Sequence, residues 1–217
     1  MNALEMQYAF ENRAGQLYNF SPGKLESDQI QDYLNLAQDL ELKERYSQIY
    51  GSTLEKFEFT EKIRREIGNI IDSYIASSFD ESSSSLHKNG VFVTLPSNYL
   101  YGIEERCIVL NSDGSTGIAK VKPMTHDEYL DDIKNPFLWP TEDLIWRMDF
   151  GFTGPTGAKK HELISSEEDT IQQYTVRYLR RPQKVVLHPT NYQDCELDES
   201  THESIVNRAV QMIASEK

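Results

Sequence analysis

Apolar positions recur at spacings of three and four through the first third of the chain, then give way to strict alternation. Ala3, Met6, Phe10, Ala14 and Leu17 make one helical face. Pro22-Gly23 interrupts it. Ser27-Asp28 supplies an N-cap and an acid where free first-turn amides favour negative charge. Ile30, Tyr33, Leu34, Ala37 and Leu40 form a second stripe, and Ile63, Ile67, Ile70, Ile71 and Tyr74 predict a third helix. Between them, two templates compete over Gly51 to Thr60. Ser52-Thr53-Leu54-Glu55 fits a capping box, while Phe57 and Phe59 alternate as in a strand. Helices this polar are marginal alone, so they must pack on one another or on neighbours.

From Ser77 to Asn89 the composition shifts, and Ser82 to Ser85 is a run of serines flanked by acids. This reads as a loop or hinge. Beyond it the pattern is mainly β. Val91 to Leu95 is a strand ended by Pro96, and the stretches 106–110 and 118–121 flank Asn111-Ser112-Asp113-Gly114 as a hairpin. Thr125-His126-Asp127-Glu128 is a capping box opening a short helix, which Asn135-Pro136 stops. Trp146, Met148, Phe150 and Phe152 alternate on one strand, Tyr174, Val176 and Tyr178 on another, and Val185 to Leu187 is a last short strand. Asp198 opens a C-terminal helix with the stripe Ile205, Val206, Ala209, Val210 and Ile213. The expected class is α+β: N-terminal antiparallel helices, an antiparallel β domain with a short inserted helix, and a C-terminal helix. The expected division is a helical part at 1–80, a hinge at 81–90, a β domain at 91–192, and 193–217 as a helix packing back on the fold.

Composition narrows what such a fold does. The hydrophobic share is 38%, against roughly 45–50% for a typical domain counted with glycine. Subunit contacts are therefore expected to supply part of the burial. The net charge is −13, from 35 acids and 22 bases. Such a chain repels nucleic acid at long range and suits basic partners, or a channel wall that must not grip DNA. Met1-Asn2-Ala3-Leu4-Glu5 has no basic stretch before an apolar run, and no segment is apolar enough to span a membrane, so neither leader nor membrane partner is expected. Cys107 and Cys195 form no motif, which fits a reducing compartment.

Each candidate for chemistry has a plainer explanation. Gly154-Pro155-Thr156-Gly157-Ala158-Lys159 has glycines and a lysine, yet Ala158 precedes the lysine, Lys160 stands where a hydroxyl is needed, and a strand follows. Asp194 to Glu203 holds carboxylates, a thiol and an imidazole, without the ligand spacing of a zinc site. Acids collect at a helix start for electrostatic reasons. His87, His126, His161, His188 and His202 are scattered and sit in no nucleophile signature. No catalytic residue, metal or cofactor is expected. The docking candidates are three. The first is the helical face from Ile30 to Tyr74, with Tyr33 and Tyr46. The second is Asn135-Pro136-Phe137-Leu138-Trp139-Pro140, a segment stiffened by two prolines that presents Phe137 and Trp139. The third is the basic cluster Arg177, Arg180, Arg181 and Lys184.

Taken in order, several short stretches resemble a known family. They are Leu34-Asn35-Leu36-Ala37-Gln38, Lys43-Glu44-Arg45-Tyr46, Phe57-Glu58 and Lys62-Ile63-Arg64. In the second half come Leu95-Pro96-Ser97-Asn98-Tyr99, Asn135-Pro136-Phe137 with Pro140, and Tyr178-Leu179-Arg180-Arg181-Pro182. Last is the ending from Cys195 to His202 with Ile205-Val206 and Ala209-Val210. Together they resemble the neck or ring proteins of short-tailed, crAss-like phages, over most of the chain from Asn2 to Ile213. The resemblance implies a non-enzymatic head-to-tail connector in the virion. It would form a twelve-fold ring, assembled in the host cytoplasm, that joins portal and capsid to the tail, contacts further neck rings and lets DNA pass. Two other readings of the residues stand beside it: a metal-dependent hydrolase using 194–203, and an acidic DNA mimic.

Overall fold

A computed structural model describes residues 1–18, 25–51, 65–80, 89–153, 158–188 and 190–215. The chain forms two compact units. One joins residues 1–70 to 182–217, and the other spans Ile71–Arg181. The α+β class holds, with N-terminal helices, a large and mostly antiparallel sheet, and a C-terminal helix.

The first unit contains α1 (Ala3–Tyr18), α2 (Ser27–Gly51) and the C-terminal helix, called α4 below (Glu199–Ser215). These pack on one another through the stripes read from the sequence. Ala3, Met6, Phe10 and Ala14 of α1 are buried, as are Ile30, Leu34 and Ala37 of α2 and Ile205, Val206, Ala209, Val210 and Ile213 of α4. A polar ladder on α2 was not legible in the sequence. Gln31, Asn35 and Gln38 recur at helical spacing and hold extended backbone from the C-terminal segment. Asn35 accepts from Val185 N at 2.8 Å and donates to Val185 O at 3.0 Å. Gln31 accepts from Leu187 N at 2.9 Å, and Gln38 donates to Gln183 O at 3.1 Å. Amide side chains suit this task because each both donates and accepts. The segment carries the small ribbon β8 (Val186–His188) and β9 (Asn191–Gln193).

The second unit is built on a seven-stranded sheet. Its strands are β1 (Ile71–Ala76), β2 (Gly90–Thr94), β3 (Tyr99–Leu110), β4 (Thr116–Met124), β5 (Leu144–Thr153), β6 (Ala158–Ile164) and β7 (Thr170–Arg180), in the order β1-β7-β3-β4-β5-β6-β2. All pairs are antiparallel except β4–β5, which run parallel. The α3 helix (His126–Asp132) makes that crossover and starts with the predicted capping box: Thr125 accepts from Glu128 N, and Glu128 from Thr125 N. The third helical stripe is corrected. After a helical turn at 65–67, Gly68–Ile70 forms a 3-10 turn, and Ile71 and Tyr74 stand on strand β1. Ile-Asp-Ser-Tyr-Ile-Ala fits either period, and pairing along β7, from Ile71 opposite Leu179 to Ala76 opposite Tyr174, decides it. The ambiguous stretch 52–60, the serine run 82–85 with most of the expected hinge, and residues 154–157 lie outside the described residues.

The two faces of the sheet differ. The inner face holds the main core, including Val93, Cys107, Val109, Ile145, Leu163 and Val176. On the outer face α3 covers only the β5–β6 half, where Tyr129 meets Trp146 edge-on at 5.8 Å over Met124, Met148 and Ile164.

Candidate docking surface

The Pro136–Pro140 segment sits at the end of α3 and is held open by local hydrogen bonds. Asn135 caps the 3-10 turn Pro136–Leu138, its side chain accepting from Phe137 N at 3.2 Å. Trp139 folds back so that its indole Nε1 donates to Ile133 O at 2.9 Å. Phe137 is left 97% exposed. Leu130, Ile133, Leu138 and Trp139 are exposed around it. Burying a phenylalanine side chain stabilises by about 1.5–3 kcal/mol, and Phe137 gains almost none of this in the isolated chain. A hollow of about 180 Å³ lies beside the segment, lined by Tyr129, Ile133, Trp139, Pro140, Trp146 and Ile164 among others.

The basic candidates are distributed between the two units. Arg177, Arg180 and Arg181 belong to the second and Lys184 to the first. Arg177 points away from the core, opposite in sense to the buried Tyr178, as strand alternation requires. Its guanidinium reaches Glu104 at 3.8 Å in an exposed pair. Arg180 is half-buried, and Arg181 and Lys184 are exposed. Tyr33 and Tyr46 are both half-buried on α2 and offer only part of each ring to solvent.

The side chains of 194–203 turn to separate structural partners. Asp194 accepts from Ala3 N at 2.6 Å, Cys195 Sγ lies 3.3 Å from Gln38 Oε1, and His202 Nε2 donates to Leu197 O at 2.9 Å. Among the described residues no three His, Cys, Asp or Glu side chains are placed to hold a metal ion. Cys107 and Cys195 are buried free thiols. Burial pushes the first up to about 12 and the second up to about 11.

A polar network inside the β unit goes beyond what the sequence pattern predicts. Glu105 of β3, Arg147 and Asp149 of β5, His161 of β6 and Tyr174 of β7 meet on the inner face. Arg147 Nε lies 3.2 Å from Glu105 Oε2, and Arg147 also bonds Asp149. Tyr174 donates its hydroxyl proton to the same Glu105 oxygen at 2.9 Å. The contact of 3.0 Å between His161 Nδ1 and the Tyr174 oxygen therefore places the proton on Nδ1. His161 Nε2 is then the acceptor for Arg147 Nη1 at 3.2 Å. Burial holds the imidazole below its ordinary pKa, so the neutral form matches this geometry. In this neutral form His161 Nε2 has no proton to give Asp149, and the Arg147 and Lys159 cations beside that carboxyl hold it well below the usual carboxylate range. Gly102 leaves room for the group, since a Cβ there would sit 2.8 Å from Glu105 Oε1. The sequence signal was polar residues at inward positions of β3, β5 and β6: Glu105, Arg147, Asp149 and His161. His161 is completely buried, so the network reads as scaffold that ties four strands together.

The described residues thus combine an α+β fold, an exposed apolar hook at the end of an acidic helix, and a core braced by a polar network. Residues 24–217 match the family described as phage tail ring protein 3/4, and the chain belongs to that family of structural ring proteins. It is similar to Ring protein 3 of Bacteroides phage crAss001, with 28% identity over 179 residues, 76% of this chain and 72% of that protein. It is also similar to Ring protein 4/5 of the same phage, with 28% identity over 120 residues, 48% of this chain and 49% of that protein. The resemblance carried by the ordered motifs is thus to the right family. Among the described residues no helix is long and apolar enough to cross a membrane.

Proposed function

We propose that this chain is a non-enzymatic, ring-forming head-to-tail connector that joins the portal and capsid to the phage tail and forms part of the DNA passage. The observation that carries the reading is the match of residues 24–217 to a tail ring family, reinforced by similarity across three quarters of the chain to a protein named as a ring component. The surface supports it. A closed cyclic ring needs two different complementary patches on every subunit, and the exposed hook at Phe137 and Trp139 supplies an apolar anchor of the kind that dominates interfaces. The net charge of −13 suits a passage through which DNA slides without sticking. A twelve-fold ring stacked between the portal and further ring proteins is the arrangement expected.

The test is co-expression with the portal protein, followed by electron microscopy of the complex and mass spectrometry of virions. A ring of this chain bound at the portal, and its recovery from virions in the copy number of one ring, is the expected result. A chain that is absent from virions and stays monomeric beside the portal overturns the reading.

A further inference from the structure

The outer face of the sheet is half covered. Over β5, β6 and the Lys122–Met124 end of β4 it carries α3, whereas Ile75, Arg106, Ile118, Lys120 and Arg177, on β1, β3, β7 and the rest of β4, are exposed. The strand register aligns the side chains there into rows. Ile75 faces Thr175, Thr175 faces Arg106, and Arg106 faces Lys120. Arg106 and Lys120 are like charges directly opposite across a strand pair, an arrangement that destabilises a sheet. Among the described residues no carboxylate lies within ion-pair distance of either. Arg177 adds a third cation one step along β7, where a depression of about 250 Å³ opens between Glu104, Arg106, Thr175 and Arg177. Exposed isoleucines flank these cations, Ile118 at 67% and Ile75 at 59% exposure. Basic groups interleaved with apolar ones, in a chain of net charge −13, call for a partner that is acidic and apolar at once.

The same unit presents such a surface. Between residues 127 and 143 stand Asp127, Glu128, Asp131, Asp132, Glu142 and Asp143 against the single base Lys134. Among them are the exposed Leu130, Ile133, Phe137 and Trp139. Asp132 is occupied by Lys122, which ties α3 to β4 at 3.1 Å, and Asp131 makes an exposed pair with Lys134 at 3.1 Å, while Asp127, Glu142 and Asp143 face solvent.

We propose that α3 and the hook of one copy dock on the uncovered β7–β3–β4 face of the next copy, so that each subunit completes the sheet cover of its neighbour. The two patches differ, so the contact is heterologous and propagates head to tail, as a ring requires. Phe137 meets the isoleucines, and the acids around α3 meet Arg106, Lys120 and Arg177. Nucleic acid is the weaker occupant for this face, because Glu104 sits within it and the exposed isoleucines have no use against phosphate. This inference rests on the ring reading and assigns its interface.

Charge exchange tests it on the full chain. Arg106→Glu with Lys120→Glu makes both patches acidic, and Asp127→Lys, Asp131→Lys, Glu142→Lys and Asp143→Lys together make both basic. All six positions are exposed, and circular dichroism checks that each variant folds. Light scattering at low salt should show the wild type self-associating and each variant weakened by roughly a hundredfold or more. An equimolar mixture should associate again, since each variant then offers the other an opposite charge. Variants that associate like the wild type, a mixture that stays dissociated, or a wild type that is monomeric at its highest soluble concentration each overturn the inference. So does a reversal of Arg106 and Lys120 that abolishes retention on DNA while leaving self-association intact. If wild-type rings form but ignore the reversals, only this interface fails. If the chain is also absent from virions, the ring reading fails with it.

Discussion

The two faces of the seven-stranded sheet use charge in opposite ways. On the inner face Arg147 lies within 3.2 Å of Glu105 and also bonds Asp149 at the rim, and Tyr174 and His161 complete the group in the interior. On the outer face Arg106 stands opposite Lys120, and among the described residues no carboxylate lies within ion-pair distance of either. A buried charge without a partner is strongly destabilising, so the inner face had to be closed within the chain. Exposed charges are solvated and cost little, so the outer face can wait for a partner. The contrast separates residues that hold the fold from residues available for assembly. Mutations should divide along the same line.

The largest effect is expected at Arg147. Arg147→Met leaves Glu105 buried with its ion-pair partner gone and Asp149 short of a cation, at a cost of about 3–5 kcal/mol of folding stability. Chemical denaturation measures this as a lower midpoint. A loss below 1 kcal/mol would mean the inner network is optional and the contrast between faces is false. Next comes Tyr174→Phe, which keeps the ring but removes the hydroxyl shared by His161 Nδ1 and Glu105. Leaving those groups short of a partner should cost about 1–3 kcal/mol.

A smaller effect is tied to pH. Burial lowers the pKa of His161, so the unfolded chain binds this proton more readily than the folded one. Its contribution to stability is full above the unfolded value of about 6.5 and is lost as pH falls from there through the folded value. Asp149, also lowered, acts in the same direction only further down, below about pH 4. Stability measured in urea should therefore decline in two stages on acidification. His161→Gln should remove the first stage and leave the second. A variant that declines like the parent between pH 6.5 and 5 would show that another group carries the effect.

The stripes on α1, α2 and α4 were legible because a helix that buries one face writes its period into the sequence, and the alternation at Tyr174, Val176 and Tyr178 was legible for the corresponding reason in strands. Thr125 to Glu128 announced its own helix because a capping box is local. Ile71 and Tyr74 were expected on a helix because the apolar spacing there fits both periods, and their state is fixed by β7, about a hundred residues later in sequence. The partners of Glu105, Arg147 and His161 were invisible for the same reason. Each lies on a different strand, and only the strand order brings them together. The hook was readable because its stiffness is local, in Pro136 and Pro140. The uncovered outer face was not, because Arg106 and Lys120 become neighbours only once β3 and β4 pair.

The smallest effect on folding is expected at Phe137, and that is what makes it the sharpest test of the contrast. At 97% exposure the ring contributes nothing to the core, so Phe137→Ala should change folding stability by no more than about 0.5 kcal/mol. If the outer surface is an assembly face, the same substitution should weaken association by about 2 kcal/mol or more, as truncation of an aromatic anchor does. Trp139→Ala is the informative partner. Its indole donates to Ile133 O and lines the hollow against Tyr129 and Trp146, so it should weaken both folding and association. Denaturation and light scattering on the two variants separate the cases. Equal, small losses in both quantities for Phe137→Ala would place the ring outside any interface, and the hook would then be a solvated turn like any other.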